Sequence, residues 1–350
     1  MGNQVSESGK PKFVFVCCRK GSHDLCKQEI IENYPEWRFA FSRPGLMTFK
    51  LPEGHGYEFS KPVDLKSIFA RTYGLSVGNA GSIEEVVEQV GNVAAQFNSR
   101  QFHYWNRADQ DKDLFTECRP VPAALVEAEG LEFSMDSDPG QLVVDVIEMD
   151  PERWFIGVHV CSTIYHRWPG GRPFFQEKKD VVSRAFWKTK EGLLWSRLPL
   201  RKEDECIEVG ASPGGSIQAL LESGCKVIAI DPAKLSTVLE EHPRVVHLKK
   251  RGKEVRKNEL SNARWLLADL NVAPKYTLDT VEDIVGNKSV SIKGMLLTLK
   301  LMDGIQSKEL RTVGERVKGL GFQHVQIRQL SFDHAEVCLF ALKQKAMLRH

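Results

Sequence analysis

"CIEVGASPGGSIQALL", residues 206–221, is the stretch on which the fold of this chain turns. Cys206 to Val209 form a short run suited to a buried strand, and from Gly215 onward the apolar spacing is helical. Between them, Gly210, Gly214 and Gly215 permit a turn tight enough to leave the first N–H groups of the helix without intrahelical partners. Strand, glycine turn and helix in that order open a parallel βαβ unit. The chain keeps this rhythm after residue 200. Strand-like runs fall at 205–210, 225–230, 244–248, 264–268 and 294–299, with helix-like stretches between most of them. "FQHVQIRQL" (322–330) and "EVCLFAL" (336–342) then close as a hairpin. This half is predicted to be a Rossmann-like α/β domain with a doubly wound, mainly parallel, seven-stranded sheet.

Working outward, the chain changes character near residue 165. "KFVFVCC" (12–18), "LMTFKL" (46–51) and "QFHYWNRA" (101–108) read as strands. "LVVDVIEMDPERWFIGVHV" (142–160) reads as two strands about Asp150–Pro151. "HDLCKQEIIENY" (23–34) reads as a helix with Leu25, Ile30 and Ile31 on its apolar side. "LKSIFARTYGLSVGNA" (65–80) reads as a helix running into a strand. "SIEEVVEQVGNVAAQF" (82–97) carries a capping box, Ser82 with Glu85, ahead of a helical stripe. The mixture is α+β rather than regular βαβ. "TIYHRWPGGRPFFQEKKD" (163–180) reads as a packed connector or as a nucleic-acid contact, since Tyr165, Trp168 and Phe174 alternate with Arg167 and Arg172.

The 350 residues allow two or three domains. They are 42 % hydrophobic and 27 % charged, which is ordinary for a globular protein. A formal net charge of +2 does not announce nucleic-acid binding, so any such case rests on local patches. One such patch is the basic run Lys249, Lys250, Arg251, Lys253, Arg256 and Lys257. No apolar run approaches the roughly 20 residues that span a bilayer, which argues against a membrane partner. The polar N-terminus shows no signal peptide. Gly2 and Ser6 satisfy a loose myristoylation pattern, but a disordered polar tail is the simpler reading. The eight cysteines are scattered, and Cys17, Cys18 and Cys26 with His23 fit no zinc spacing. No metal is expected, and the thiols point to a reducing cytoplasm.

Three ligands compete for the glycine turn. A phosphate-binding P-loop has the right separation in Gly210 and Gly215 but needs Lys where Ser216 stands. A dinucleotide loop needs Gly where Ser212 stands. S-adenosylmethionine carries no phosphate. Its carboxylate suits a helix N-terminus, and its ammonium suits an acid such as Glu208 at the first strand's end. A second acid, Asp231, ends the run "CKVIAID" 231 − 210 = 21 residues after the turn. That is near the ~20 residues expected of a ribose-binding acid.

"EVGASPGGS" (208–216) resembles the first motif of the FtsJ-type ribosomal RNA ribose methyltransferases, with its acid-x-G-x-x-PGG core. The resemblance implies S-adenosylmethionine as cofactor and RNA as partner. It places cofactor contacts at Glu208, Gly210, Ser212, Pro213, Gly214, Gly215, Asp231 and Asp269. "SRAFWK" resembles the segment bearing that family's first catalytic lysine, here Lys188. "LLADLN" supplies the aspartate, Asp269; "LLTLKL" the second lysine, Lys300; and "RQLSFDHAEVCLFAL" the glutamate, Glu336. "LTLKL" and "RQLSFDHAEV" look most like the RlmM subgroup, which methylates a cytidine ribose of large-subunit ribosomal RNA. "FVFVCCRKGSHDLCKQEI" and "SIFARTYGLSVG" resemble its opening segments.

The resemblance implies five parts. A tail at 1–10 precedes a ferredoxin-like α+β domain at 11–80, a THUMP-like RNA-binding domain at 81–165 and a linker at 166–182. The methyltransferase domain follows at 183–345. Arg167, Arg172, Lys249, Lys250 and Arg251 are the candidate RNA contacts. One departure stands out: in "HLKKRGKEV", Arg251 falls where the family has an acid for the adenine amino group, and a guanidinium cannot accept a hydrogen bond. The competing function is a methyltransferase fold without catalysis, binding RNA or assisting ribosome assembly.

In the family pattern the two lysines share one site. A lysine takes a proton only when neutral, and a nearby second lysine disfavours the charged form. Lys300 is the candidate base and Lys188 its neighbour. Asp269 is expected to orient Lys300, and Glu336 to hold Lys188 or the ribose, with those roles exchangeable.

Overall fold

A computed structural model describes residues 9–108, 120–302 and 307–344. The expected tail at 1–10, with Gly2 and Ser6, and also Cys118, lie outside or almost wholly outside them. The chain forms two compact units, Met1–Glu177 and Lys178–His350.

The first unit contains β1 (Phe13–Cys18), α1 (His23–Asn33), β2 (Arg38–Arg43), β3 (Leu46–Lys50), β4 (Ala70–Ala80) and α2 (Ile83–Phe97). It continues with β5 (Gln101–Asn106), α3 (Ala123–Val126), β6 (Glu132–Phe133), β7 (Leu142–Asp150) and β8 (Arg153–Val160). Among the described residues these eight strands form one sheet in the order β2-β3-β1-β4-β8-β7-β5-β6. β4 pairs with β1 on one side and β8 on the other, so the sheet runs without a break across the division expected at residue 80. Phe15 meets Phe155 edge-to-face at 5.4 Å over this junction. Gly157 makes the contact possible, since a Cβ there would lie 2.4 Å from the Phe15 ring.

Two helix expectations change. Residues 65–69 are not helical, and the extended strand begins at Ala70. In α1 the buried face is Cys26, Glu29 and Ile30, while Ile31 is exposed. Glu29 can be buried because it accepts from the Ile68 N–H (2.9 Å) and the Ser67 hydroxyl (2.5 Å), which meets the requirement for a buried acid. α2 starts at the expected cap, with Ser82 accepting from the Glu85 N–H at 3.3 Å, while the Glu85 carboxylate accepts from the Gly81 N–H (2.7 Å) rather than from that of Ser82.

Residues 164–171 make two short 3₁₀ turns, and the Ser137 N–H donates to the Arg167 carbonyl at 2.8 Å. Tyr165 and Trp168 are core residues, so two of the three aromatics singled out in the connector at 163–180 are packed, while Phe174 is exposed.

Beneath this turn His103 (β5), Asp145 (β7) and His159 (β8) are all buried, with potential ligand atoms within 4.8 Å of one another. His159 donates to Asp145 Oδ2 (2.5 Å) and to the His166 carbonyl (2.8 Å), which makes it an imidazolium. Burial alone would lower its pKa, but the Asp145 carboxylate lifts it to about 10. The unfolded histidine titrates near ~6.5. The stabilisation is therefore complete below that pH and is lost as pH rises toward 10. His159→Gln is expected to cost about 3–5 kcal/mol at neutral pH, as broken buried pairs do. The gap in melting temperature from wild type should narrow between pH 7 and 10; a constant gap would rule out the ion pair.

The second unit contains α4 (Ala185–Ser196), β9 (Glu205–Val209), α5 (Gly215–Glu222), β10 (Lys226–Ile230), α6 (Thr237–Glu240) and β11 (Val245–Leu248). It continues with β12 (Trp265–Asp269), α7 (Pro274–Val285), β13 (Gly294–Lys300), α8 (Ser307–Gly319), β14 (His324–Arg328) and β15 (Glu336–Leu342). Its seven strands run β11-β10-β9-β12-β13-β15-β14, parallel except for β15, which is antiparallel to both neighbours. The strand order reverses between β9 and β12, and ligands of open α/β sheets bind at the carboxyl ends beside such a switch point. The described cysteines are free and buried. No helix among the described residues is long and apolar enough to cross a membrane.

Candidate functional site

At the switch point, β9 ends at Val209 and the chain turns through Gly210 at φ +79°, where a Cβ would lie 2.4 Å from the Asp269 carbonyl oxygen. Only glycine fits there. Gly215 opens α5 against the start of α4, where a Cβ would lie 2.3 Å from Ser183 Oγ. Asp231, just past β10, staples the turn to the sheet. It accepts from the Ser212 N–H (3.1 Å) and the Ala233 N–H (2.8 Å). Ser212 Oγ donates to the Lys234 carbonyl at 2.8 Å, and the Pro213 carbonyl accepts from the Ser236 N–H at 3.0 Å. A carboxylate has about four acceptor positions, so Asp231 keeps about two for a ligand's hydroxyls.

Glu208 lies within β9, wholly buried. Burial, then the nearby Asp269 charge, pushes its carboxyl well above the usual range, against a hydrogen bond from Ser216. Its Oε2 has no hydrogen-bond partner among the described residues. An orphaned buried acid oxygen beside a helix start that excludes any side chain fits the amino-acid end of S-adenosylmethionine. The ammonium would restore the charge of Glu208, and the carboxylate would meet the N–H groups of α5. Asp231→Ala is expected to weaken cofactor binding roughly 10- to 150-fold, the equivalent of a lost charge-assisted hydrogen bond. Calorimetric titration measures it; unchanged affinity would remove Asp231 from the site.

The second half of the site comes from strand register. Lys300, last in β13, pairs directly with Glu336, first in β15. Asp269 ends β12, the neighbour of β13, and α4 brings Lys188. The Glu336 carboxylate is shared: Oε1 accepts from Lys300 Nζ and Oε2 from Lys188 Nζ. Lys188 Nζ lies 3.5 Å from Asp269 Oδ2. Burial opposes charge on Lys188, but Asp269 and Glu336 hold its pKa above the ordinary lysine value. Burial likewise works against ionised Glu336, and the two ammonium groups outweigh it and lower its pKa. At Asp269, burial prevails over Lys188 and the carboxyl is raised.

The geometry bears on the two assignments left open for Asp269 and Glu336. Asp269 faces Lys188, and Glu336 sits on both lysines, because β15 is antiparallel to β13 and delivers its first residue to the last residue of that strand.

Two buried acids were not singled out from the sequence. Glu191 follows Lys188 by one helical turn in α4 and accepts from the Ser331 (2.8 Å) and Phe332 (3.0 Å) N–H groups. It thereby ties the helix of Lys188 to the loop that leads into Glu336. Asp333 caps the same loop by accepting from the Leu330 N–H at 2.9 Å. Burial, with Glu191 and Glu336 nearby, raises its carboxyl to about 7 against that hydrogen bond. The signal was an acid inside the apolar helix "AFWKTKEGLLW".

Three residues of the basic run form ion pairs. Lys249 pairs with Glu240 (2.7 Å), Lys250 with Glu259 (3.7 Å) and Lys257 with Asp283 (2.7 Å). Arg251 is exposed, and its backbone N–H donates to Glu254 Oε2 at 2.9 Å. In the first unit Arg167 forms a two-pronged pair with Asp136 (2.7 and 3.0 Å). Arg172 lies half-buried just after the second 3₁₀ turn.

Residues 181–328 match the family model described as FtsJ-like methyltransferase. Ribosomal RNA large subunit methyltransferase M of Hahella chejuensis is 24% identical, covering 93% of this chain and 88% of the relative. The protein of the same description from Pseudomonas putida strain KT2440 is 26% identical over 66% of this chain and 67% of its own length. Among solved structures, the fibrillarin/Nop5p complex aligns with a TM-score of 0.39 and 14% identity, over 49% of this chain and 92% of that one. Human methyltransferase-like protein 13 bound to SAH aligns at 0.35 and 14%, over 48% and 86%.

Proposed function

We propose that this chain, whose residues 181–328 belong to the FtsJ-like methyltransferase family and make it an S-adenosylmethionine-dependent RNA methyltransferase, methylates a ribose 2′-hydroxyl of large-subunit ribosomal RNA, at a cytidine. The observation that carries the reading is the Glu336 carboxylate shared by two lysines, at the carboxyl end of the sheet and beside the glycine turn. Bound S-adenosylmethionine supplies an electrophilic methyl group on a sulfonium.

The protein's part is to prepare the hydroxyl. Lys300, in its neutral form, takes the proton from the 2′-oxygen. Lys188 stays an ammonium between Asp269 and Glu336 and donates to that oxygen to hold it in line. Glu336 neutralises whichever lysine is charged, and Glu191 keeps α4 and the loop before β15 in step.

In this proposal the first unit selects the RNA, with residues 81–165 THUMP-like and 11–80 ferredoxin-like within its common sheet. The intact lysine and acid set does not support a non-catalytic protein. The test is a map of ribose methylation in large-subunit ribosomal RNA from cells with and without this protein. One cytidine should lose its 2′-O-methyl group; an unchanged map would overturn the reading.

A further inference from the structure

The first unit carries a groove of about 880 Å³ between α2 and one face of its sheet, open along the edge strand β2. That volume lies within the range of small-ligand sites. We propose that this groove binds an unpaired segment of RNA, an inference that rests on the reading of the chain as an RNA methyltransferase.

A bulge builds the groove's aromatic platform. β2 pairs with β3 as Phe39 to Phe49 and then Phe41 to Thr48, with Ala40 left over. The extra residue puts Phe39 and Phe41 on opposite faces of the sheet. Phe39 turns toward α1, with Lys27 Nζ 3.7 Å from its ring centre. Phe41 turns into the groove, part-exposed, with the Arg43 guanidinium 4.9 Å from its ring centre. An aromatic face with a guanidinium over it is a surface on which any base can stack.

The opposite wall is amide-rich. Gln89, Asn92 and Gln96 of α2 recur at helical spacing and line the groove. Gln89 lies flat on Gly78, where a Cβ would meet its Oε1 at 2.4 Å, and its Nε2 donates to the Asn79 carbonyl at 3.0 Å. Side-chain amides both donate and accept, as base edges do. Trp154 also lines the groove.

The charge is of the right sign. Arg43 and Arg153 line the groove, and neither has a carboxylate partner among the described residues. Asp150, the one acid of the lining among the described residues, is already paired with Arg107 at 3.2 Å. Cations, a stacking platform and uncharged amides together suit phosphates, base faces and base edges. An acidic peptide would leave the platform unused, and a duplex would keep its bases stacked on each other.

The test is fluorescence anisotropy with the full chain and a labelled single-stranded RNA of about 20 nucleotides, set beside a duplex of the same length and an acidic peptide. Phe41→Ala should weaken single-strand binding by about 5- to 150-fold, the range for a lost stacking contact. Arg153→Ala should weaken it and flatten its salt dependence. Phe39→Ala, on the opposite face of the same strand, should leave it unchanged, and all three variants should keep cofactor affinity and melting temperature.

Equal affinities for wild type and Phe41→Ala would overturn the groove while leaving the enzymatic reading in place. So would equal losses from Phe39→Ala and Phe41→Ala, or tighter binding of the duplex or the peptide. A chain that bound no RNA at all and left ribosomal RNA unmethylated would overturn both.

Discussion

Lys300→Ala is expected to slow methyl transfer at least ~10²-fold, the usual loss when a positioned base is removed, with S-adenosylmethionine affinity close to wild type. The two effects separate because Lys300 lies at the end of β13, while the glycine turn and Asp231 are held by their own hydrogen bonds. The measurement is a single-turnover rate with saturating cofactor and RNA, which isolates chemistry from product release. In wild type this rate should rise with pH and reach a plateau, because only a neutral amine accepts the proton. A rate within a few-fold of wild type would remove Lys300 as the base. A flat wild-type profile would mean that the lysines only position the ribose.

Glu336→Gln is expected to cost about 10²–10⁴-fold, as much as the loss of a general base or more. The substitution keeps the shape but removes the charge that both ammonium groups share. Lys188 would then keep Asp269, 3.5 Å away, as its ion-pair partner. Breaking a partly buried network of this kind also costs stability, up to about 3–5 kcal/mol if fully desolvated, so the melting temperature should fall.

The pH profile gives the sharper readout. Removing a negative neighbour favours neutral lysines, so the midpoint of the Glu336→Gln rate profile should move to lower pH. Lys188→Ala should move it the other way, since it removes a positive neighbour and leaves Glu336 entirely to Lys300. Its rate loss should be smaller than that of Lys300→Ala. Shifts in the same direction for both variants would mean that this network does not govern the titration.

The catalytic half was legible because its signals are local. Gly210 stands where a Cβ would lie 2.4 Å from the Asp269 carbonyl oxygen, and the strand-end positions of Asp231, Asp269 and Lys300 follow from counting along regular βαβ units. The first half was less legible because a sheet assembled from distant strands leaves no local sign of its order. Nothing near residue 80 announces that β4 will join β1 to β8 in one layer.

By itself, then, the sequence determined which residues end strands, where the chain must turn on glycine, and which lysines and acids were available for chemistry. Only the tertiary structure decided how those groups pair. Lys300 and Glu336 are 36 residues apart, and an antiparallel register made them direct neighbours. Lys188 and Glu336 are 148 apart, and two N–H groups donating to Glu191 fixed helix to loop. Three cations of the basic run meet acids, Glu240, Glu259 and Asp283, that the run itself does not contain. Spacing along a chain sets backbone geometry, whereas the charge a side chain meets depends on elements folded against it from elsewhere.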